Sequence, residues 1–145
     1  MANAGGADEF VGSAFVLKDE GGRALLQLRD DPPSCTNHTP SGFREWVVPG
    51  GGREDGETPL ATAAREIREE TGLVLAGLRH AGRFGPDEIP GLPEVWHLFV
   101  AEQVAPFSTT IVAREGLAFR FWAESETETL TMAPFERELL RYGLA

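Results

Sequence analysis

A helix with an acidic face, entered from three consecutive glycines, is the feature that most limits how this chain can fold. Thr58 supplies an N-cap hydroxyl and Pro59 suits the first helical position, so a helix is predicted to begin there. Gly72 predicts its end, because glycine readily adopts the left-handed conformation that closes many helices. Residues 50–52, all glycine, precede the helix and allow backbone conformations that other residues resist. The sequence therefore predicts a glycine loop that leads directly into a capped helix.

Three glutamates of this helix, Glu66, Glu69 and Glu70, are spaced i, i+3 and i+4 and therefore share one face. Glu66 and Glu70 repel each other as a like-charge pair, and a divalent cation would remove that repulsion. Mg²⁺ suits such a face because it prefers oxygen ligands and keeps several waters. A solvated helix face is the alternative from spacing alone, but a glycine loop in the same register favours binding of metal and phosphate. A second stripe is predicted to pack on a sheet: Leu60, Ala64, Ile67 and Thr71.

Residues 51–73, the box segment, read GGREDGETPLATAAREIREETGL and resemble the Nudix box. That pattern is G, five residues, E, seven residues, then R-E-U-x-E-E-x-G-U, where U is aliphatic, and every fixed position is met. Residues 46–51, WVVPGG, also resemble the stretch that usually precedes the box. The resemblance implies an α/β fold, an α/β/α sandwich around a mixed sheet in which the box forms a loop–helix–loop.

The resemblance also implies roles for individual residues. Glu66, Glu69 and Glu70 would bind the metal, with the Gly50 carbonyl as a further ligand. Arg65 and Glu57 would hold the loop and orient the carboxylates, whereas the alternative for Arg65 is a surface pair with Glu69. The structural support of the box would come from Gly51, Glu57 and Gly72.

A glutamate outside the box often completes such sites, and the stretch around Glu115 resembles the corresponding stretch of MutT-type members. Glu115 is therefore the expected additional metal-binding and catalytic residue, with Glu94 and Glu102 as rivals. Either Glu66 or Glu115 would be the general base. Two arginines near the hairpin and box are expected to contact substrate phosphates, although surface pairing is the alternative for each: Arg29 and Arg44.

Members of the family cleave a nucleoside diphosphate linked to a group X. The resemblance thus implies a Mg²⁺-dependent pyrophosphohydrolase, with Mn²⁺ as a substitute, acting on a nucleoside triphosphate, an oxidised one included, or a nucleotide sugar. Two alternatives stay open, a non-catalytic nucleotide-sensing module and an RNA 5′-end pyrophosphohydrolase. The sequence leaves open which nucleotide base and which group X the substrate carries, which phosphorus is attacked and how many metal ions bind.

Apolar runs at residues 9–18 and 23–29, separated by a turn, predict a β-hairpin. Proline and polar residues predict a loop at 30–42, and 103–116 is expected to be a connecting segment. Interleaved strands and two helices predict an α/β domain with a mixed sheet. The other predicted strands are 46–48, 73–81, 95–102 and 117–123, and a closing helix is predicted at 134–142.

The chain has 145 residues and a net charge of −10, from 13 basic and 23 acidic residues. This size predicts a single domain over 9–145, preceded by a disordered tail at 1–8. The acidity argues against a long nucleic acid as partner, and no apolar run is long enough for a transmembrane helix. Cys35 is the single cysteine, and a cytoplasmic location fits. A small nucleotide substrate and, from family habit, a homodimer are the expected partners.

Overall fold

The computed structural model describes residues 9–30, 44–75, 77–102 and 118–145. Within these ranges, no helix is both long enough and apolar enough to cross a membrane. The strands are β1 (Gly12–Lys18), β2 (Ala24–Arg29), β3 (Glu45–Val47), β4 (Gly50–Gly52), β5 (Arg79–Phe84), β6 (Trp96–Glu102) and β7 (Ala118–Trp122). The helices are α1 (Pro59–Thr71), α2 (Glu124–Thr127) and α3 (Pro134–Leu144).

Strand β1 is the centre of a mixed sheet. Along one edge it pairs in parallel with β6, from Gly12 opposite Trp96 to Lys18 opposite Glu102. On its other edge it pairs antiparallel with β4 and, at the hairpin turn, with β2. β5 extends the sheet beyond β6, while β3 and β7 both pair with β2. The predicted hairpin and the mixed sheet are confirmed.

Helices cover both faces of this sheet. Alternate residues of β1 point to opposite sides, and the apolar side chains on each side pack against a helix. Ala14 and Val16 belong to a buried cluster that includes Leu139 of α3. Phe15 and Leu17 belong to a second cluster that includes Ile67 of α1. A strand buried on both faces reads as a continuous apolar run, and the resulting layers confirm the expected α/β/α sandwich.

Helix α1 begins and ends where its capping residues predict. The Thr58 hydroxyl accepts a hydrogen bond from Ala61 N–H at 3.1 Å, and Pro59 occupies the first turn. Gly72 has φ of 81° and donates its N–H to the Arg68 carbonyl at 2.9 Å. The caps satisfy backbone groups that the helix ends would otherwise leave without partners. Both ends of α1 could therefore be predicted from the capping residues alone.

The predicted packing stripe of α1 was partly wrong. Leu60 is 51% exposed and Ala64 is also exposed, whereas Ile67 and Thr71 are buried as expected. The helix is rotated so that its buried side also includes Thr62, Ala63, Glu66 and Glu70. Two of the three clustered glutamates therefore lie on the side of the helix that faces the protein.

Three other elements differ from the sequence prediction. The expected strand at 73–81 begins only at Arg79, because Leu73, Leu75 and Leu78 pack against the second cluster from outside the sheet. The three glycines predicted as a loop form β4, and α2 was not predicted. The predicted tail at 1–8 and connecting segment at 103–116 lie outside the described residues, as does nearly all of the loop at 30–42.

Candidate functional site

The glycines of β4 attach the beginning of the box segment to the central strand. Gly50, Gly51 and Gly52 pair with Ala14, Ser13 and Gly12, respectively. A Cβ added at Gly50 would lie 2.4 Å from the Ser13 carbonyl oxygen, which is a backbone atom that has little room to move. The Ser13 hydroxyl also donates a hydrogen bond to the Pro59 carbonyl at 2.9 Å. The first turn of α1 is thus held at one end of β1.

The carboxylate of Glu66 lies directly against the α-carbon of Gly51. A Cβ added at Gly51 would be 2.2 Å from Glu66 Cδ and 2.3 Å from each carboxylate oxygen. Glu66 is only 7% exposed, so its carboxylate fills this space inside the protein, although it is the movable end of a flexible side chain. Glycine at this position therefore leaves the space that the Glu66 carboxylate occupies.

The guanidinium of Arg65 joins the glycine strand to the acidic face of α1. It contacts both carboxylate oxygens of Glu57, with Nε 2.6 Å from Oε2 and Nη2 3.0 Å from Oε1. Nη1 donates to Glu66 at 2.8 Å and to Glu69 at 3.1 Å, and Nη2 donates to the Gly52 carbonyl at 2.7 Å. Only a planar group with several fixed donors can bridge these acceptors together.

Glu57 is the most strongly held carboxylate of this network. The hydrogen bonds from the Arg65 side chain, followed by one from the Glu54 N–H, lower the pKa of Glu57 to about 2. The same Glu57 interaction is the main reason that the pKa of Arg65 is raised. The Thr62 hydroxyl donates a further hydrogen bond to Glu57 at 3.0 Å. The ion pair between Arg65 and Glu57 consequently stays charged across the neutral and mildly acidic pH range.

The three clustered glutamates occupy different environments. Glu66 contacts Arg65, the Glu69 side chain is 50% exposed, and Glu70 is 1% exposed. Within the described ranges, no three histidine, cysteine, aspartate or glutamate residues are grouped so that they could hold a metal ion. Glu115 lies outside the described residues, and its rivals Glu94 and Glu102 are both exposed. The structure thus joins Glu66 and Glu69 through Arg65, while Glu70 points into the protein.

The chemistry of these residues fits a hard divalent cation. Carboxylate and carbonyl oxygens are the ligands that Mg²⁺ prefers, and a site that uses few protein ligands leaves positions for water and phosphate oxygens. The space at Gly51 that a Cβ would fill keeps the Glu66 carboxylate beside the backbone of the glycine strand. Glu66, Glu69, Glu70 and the Gly50 carbonyl are the groups that could contribute ligands.

A cavity of about 240 Å³ opens between the sheet and α3, next to the glycine strand. Its wall includes Gly50 and Gly51, so it adjoins the entrance to the box segment. Arg29 also lines it, whereas Arg44 is exposed and is not among the lining residues. Most of the remaining wall is apolar and comes from Ala14, Val47, Val48, Leu92, Pro93, Trp96, Phe135 and Leu139.

Glu136 is a cavity residue that the sequence pattern does not mark. It is 5% exposed, and its Oε1 accepts a hydrogen bond from the Val48 N–H at 2.9 Å. Burial raises the pKa of Glu136 to about 7, against the opposing hydrogen bond from Val48; Glu45 adds to the increase and Arg29 reduces it. In the sequence Glu136 looks like an ordinary polar residue of an amphipathic helix, so nothing marked it as buried.

Comparison with known proteins places the chain within a family. The family model described as the NUDIX domain matches residues 10–142. A Mycobacterium tuberculosis protein named "Putative 8-oxo-dGTP diphosphatase 3" is 33% identical over 140 residues, covering 85% of this chain. The aligned region spans 64% of that relative's own length.

Solved structures of low sequence identity share the fold. A mutT/nudix family protein from Listeria innocua superposes with a TM-score of 0.69 and 21% identity, covering 92% of this chain and 90% of that one. The MutT protein from Methanosarcina mazei gives a TM-score of 0.68 and 19% identity, covering 92% and 91%, respectively. The arrangement of strands and helices is therefore conserved where few residues are identical.

Proposed function

Because the chain belongs to the NUDIX domain family, we propose that it is a hydrolase that cleaves the diphosphate bond of a nucleoside diphosphate linked to a further group X. The observation that carries this proposal is the Arg65 network, which ties Glu57, Glu66 and Glu69 to the Gly52 carbonyl. Nucleoside triphosphates, including oxidised purine forms, are the proposed substrate class, supported by the name of the mycobacterial relative.

Proteins of this family generally use divalent metal ions, and Mg²⁺, with Mn²⁺ as a substitute, is the ion proposed here. When bound, such an ion neutralises phosphate oxygens and lowers the pKa of a coordinated water. Glu66, Glu69, Glu70, Glu115 and the Gly50 carbonyl are its proposed ligands. The hydrogen bonds from Arg65 to Glu66 and Glu69 support this assignment, because they keep the two carboxylates next to each other.

Other residues of the site are proposed to orient the metal ligands, to accept a proton from water and to bind the substrate phosphates. Arg65 and Glu57 fix the orientation of the carboxylates, as partners outside the ligand set commonly do at metal sites. Glu66 or Glu115 would accept the proton from the attacking water. Arg29, on the wall of the cavity beside the glycine strand, and Arg44 are proposed to contact phosphate oxygens.

The proposed partner is a small nucleotide, and no long nucleic acid or membrane is proposed. The net charge of −10 makes an extended phosphate backbone an unfavourable partner in the absence of clustered basic residues. A cytoplasmic location and a homodimer complete the proposal.

The proposal is tested by a hydrolysis screen with Mg²⁺ and with Mn²⁺. Substrates would include ordinary and oxidised nucleoside triphosphates, nucleotide sugars and dinucleoside polyphosphates, and chromatography of the products would identify the phosphorus attacked. We expect hydrolysis that stops with EDTA and returns with either ion. Undiminished turnover after thorough chelation would exclude the metal dependence, and inactivity across the whole screen would favour a non-catalytic nucleotide-sensing module.

The ligand assignment is tested by Glu69→Gln and Glu70→Gln, with the exposed Glu128→Gln as the matched control. We expect each box variant to lose at least about a hundredfold in kcat, because groups that only orient metal ligands already contribute about 10- to 100-fold. Circular dichroism would show whether the fold is retained. Wild-type turnover in either box variant at saturating Mg²⁺ would contradict the assignment.

A further inference from the structure

Ser13 is a polar residue on a face of β1 that is otherwise apolar. Phe15 and Leu17 share this face, because alternate residues of a strand point to the same side, and both belong to the buried cluster that includes Ile67 of α1. Ser13 is 0% exposed, and burial of a hydroxyl is unfavourable unless it is hydrogen-bonded. The hydroxyl donates to the Pro59 carbonyl, in the first turn of α1, at 2.9 Å. Its side chain therefore joins the central strand to the helix that carries the clustered glutamates.

The backbone of Ser13 holds the glycine strand. Ser13 pairs with Gly51 of β4, and on one side of this pair the Phe15 N–H donates to the Pro49 carbonyl at 2.9 Å. On the other edge of β1, His97 of β6 lies opposite Ser13. A residue whose strand is paired on both edges has little freedom to shift. Ser13 thus fixes Gly51 through its backbone and the first turn of α1 through its side chain.

The two elements that Ser13 joins are also the two that supply the proposed metal ligands. Glu66 lies on α1, whereas the Gly50 carbonyl lies on β4. The carboxylate of Glu66 fits closely against the glycine strand, since a Cβ at Gly51 would lie 2.2 Å from Glu66 Cδ. A change in the separation of α1 and β4 would therefore move the carboxylate relative to the Gly50 carbonyl. Displacements of about 1 Å can reduce the rate of an enzyme about a hundredfold.

Resting on the proposed function, we infer that Ser13 is a positioning residue, whose hydroxyl sets the separation of α1 from the glycine strand and thereby places Glu66 to bind the metal ion. Arg65 acts on the same carboxylate differently, by donating from Nη1 to Glu66 Oε2 at 2.8 Å. Arg65 orients the carboxylate, whereas Ser13 locates the helix that carries it. Ser13 itself is not proposed to contact the metal ion or the substrate.

Mn²⁺ binding measured by electron paramagnetic resonance tests this inference without requiring turnover. We expect Ser13→Ala to weaken Mn²⁺ binding about tenfold, within the range of about 10- to 100-fold for groups that orient metal ligands. Thr127→Val is the matched control, because it also removes the hydroxyl of a buried residue, one that donates to the Glu124 carbonyl at 2.6 Å in α2. Thr127→Val should bind Mn²⁺ as the wild-type protein does. An unchanged affinity in Ser13→Ala, or an equal loss in both variants, would overturn the inference.

A double-mutant cycle with Glu66→Gln separates positioning of the ligand from a general loss of stability. If Ser13 acts through Glu66, Ser13→Ala should weaken Mn²⁺ binding less than about twofold in the Glu66→Gln background, because both changes then affect one contact. Thermal unfolding in EDTA would establish that each variant is folded at the temperature of the binding measurement. A tenfold effect of Ser13→Ala that persists in Glu66→Gln would refute the role through Glu66.

Hydrolysis assays separate this inference from the proposed function. If the wild-type protein binds Mn²⁺ with an affinity that depends on Ser13 but hydrolyses no diphosphate, the proposed activity fails and the positioning role stands. If triphosphates are hydrolysed and Ser13→Ala leaves the Mn²⁺ affinity unchanged, the activity stands and the positioning role fails. Absence of Mn²⁺ binding to the wild-type protein would overturn the inference whatever the turnover, because Glu66 would then have no ion to bind.

Discussion

Replacing Glu136 with glutamine is expected to remove a pH-dependent loss of stability from the folded protein. Burial raises the pKa of Glu136 from 4.5 to about 7, so the folded protein keeps a proton at pH values where the unfolded chain has lost it. The contribution of the neutral carboxyl is therefore fully present below pH 4.5 and is lost as the pH rises through about 7. Glutamine stays neutral throughout and can still accept the Val48 N–H.

The expected magnitude follows from the difference between the two pKa values. The rise of the pKa from 4.5 to about 7 corresponds to about 3 kcal/mol, at about 1.36 kcal/mol for each pKa unit. Part of the titration of the unfolded chain precedes pH 5, so roughly 2–3 kcal/mol of this total falls between about pH 5 and pH 8. For a domain of this size that corresponds to roughly 5–10 °C in Tm.

Urea unfolding monitored by tryptophan fluorescence would measure this effect at several pH values between about 5 and 8. Titrating groups that do not interact with Glu136 affect the wild-type protein and the variant alike, so the difference in their free energies of unfolding reports Glu136 together with its coupling to Glu45. The wild-type protein should lose stability relative to Glu136→Gln as the pH rises, while the exposed Glu128→Gln should follow the wild-type curve. Parallel curves for wild-type protein and Glu136→Gln would refute the argument from burial.

Four further predictions concern the box segment and Gly50, which precedes it. Gly51→Ala should reduce kcat roughly 10- to 100-fold with little change in Tm, because the new Cβ displaces the Glu66 side chain. In Gly50→Ala the new Cβ would instead contact backbone atoms, and this substitution should lower the free energy of unfolding by about 1–3 kcal/mol. Equal Tm values for Gly51→Ala and Gly50→Ala would contradict this distinction. Arg65→Lys should lose about 10- to 100-fold in kcat, since an ammonium cannot bridge the same acceptors. The substitution Arg68→Lys, at an exposed position of the same helix, is the control and should leave kcat unchanged. Comparable kinetics for the two variants would refute the orienting role of Arg65. Thr58→Ala should cost about 1 kcal/mol in urea unfolding, and an unchanged midpoint would contradict the N-cap assignment.

Local features of the fold were readable because their physical causes lie within a few residues. The hydroxyl of Thr58 and the missing side chain of Gly72 define the ends of α1 wherever the helix packs. The spacing of the glutamates placed them on one helical face, and the match to the box pattern identified the family. The apolar run of β1 likewise predicted a strand.

Tertiary structure decided which side of each element is buried and which residues from distant parts of the chain come into contact. The rotation of α1 buries Glu66 and Glu70 while exposing Leu60, because its fit against β1 and β4 outweighs the apolar preference of one side chain. Glycine spacing alone could not show that Gly51 leaves room for a carboxylate. Glu136 meets Val48 from 88 residues away in the chain, and periodicity carries no record of such a contact. The sequence by itself thus determined the family and the capped, acidic helix, whereas only the folded chain decided which carboxyl lies in the cavity.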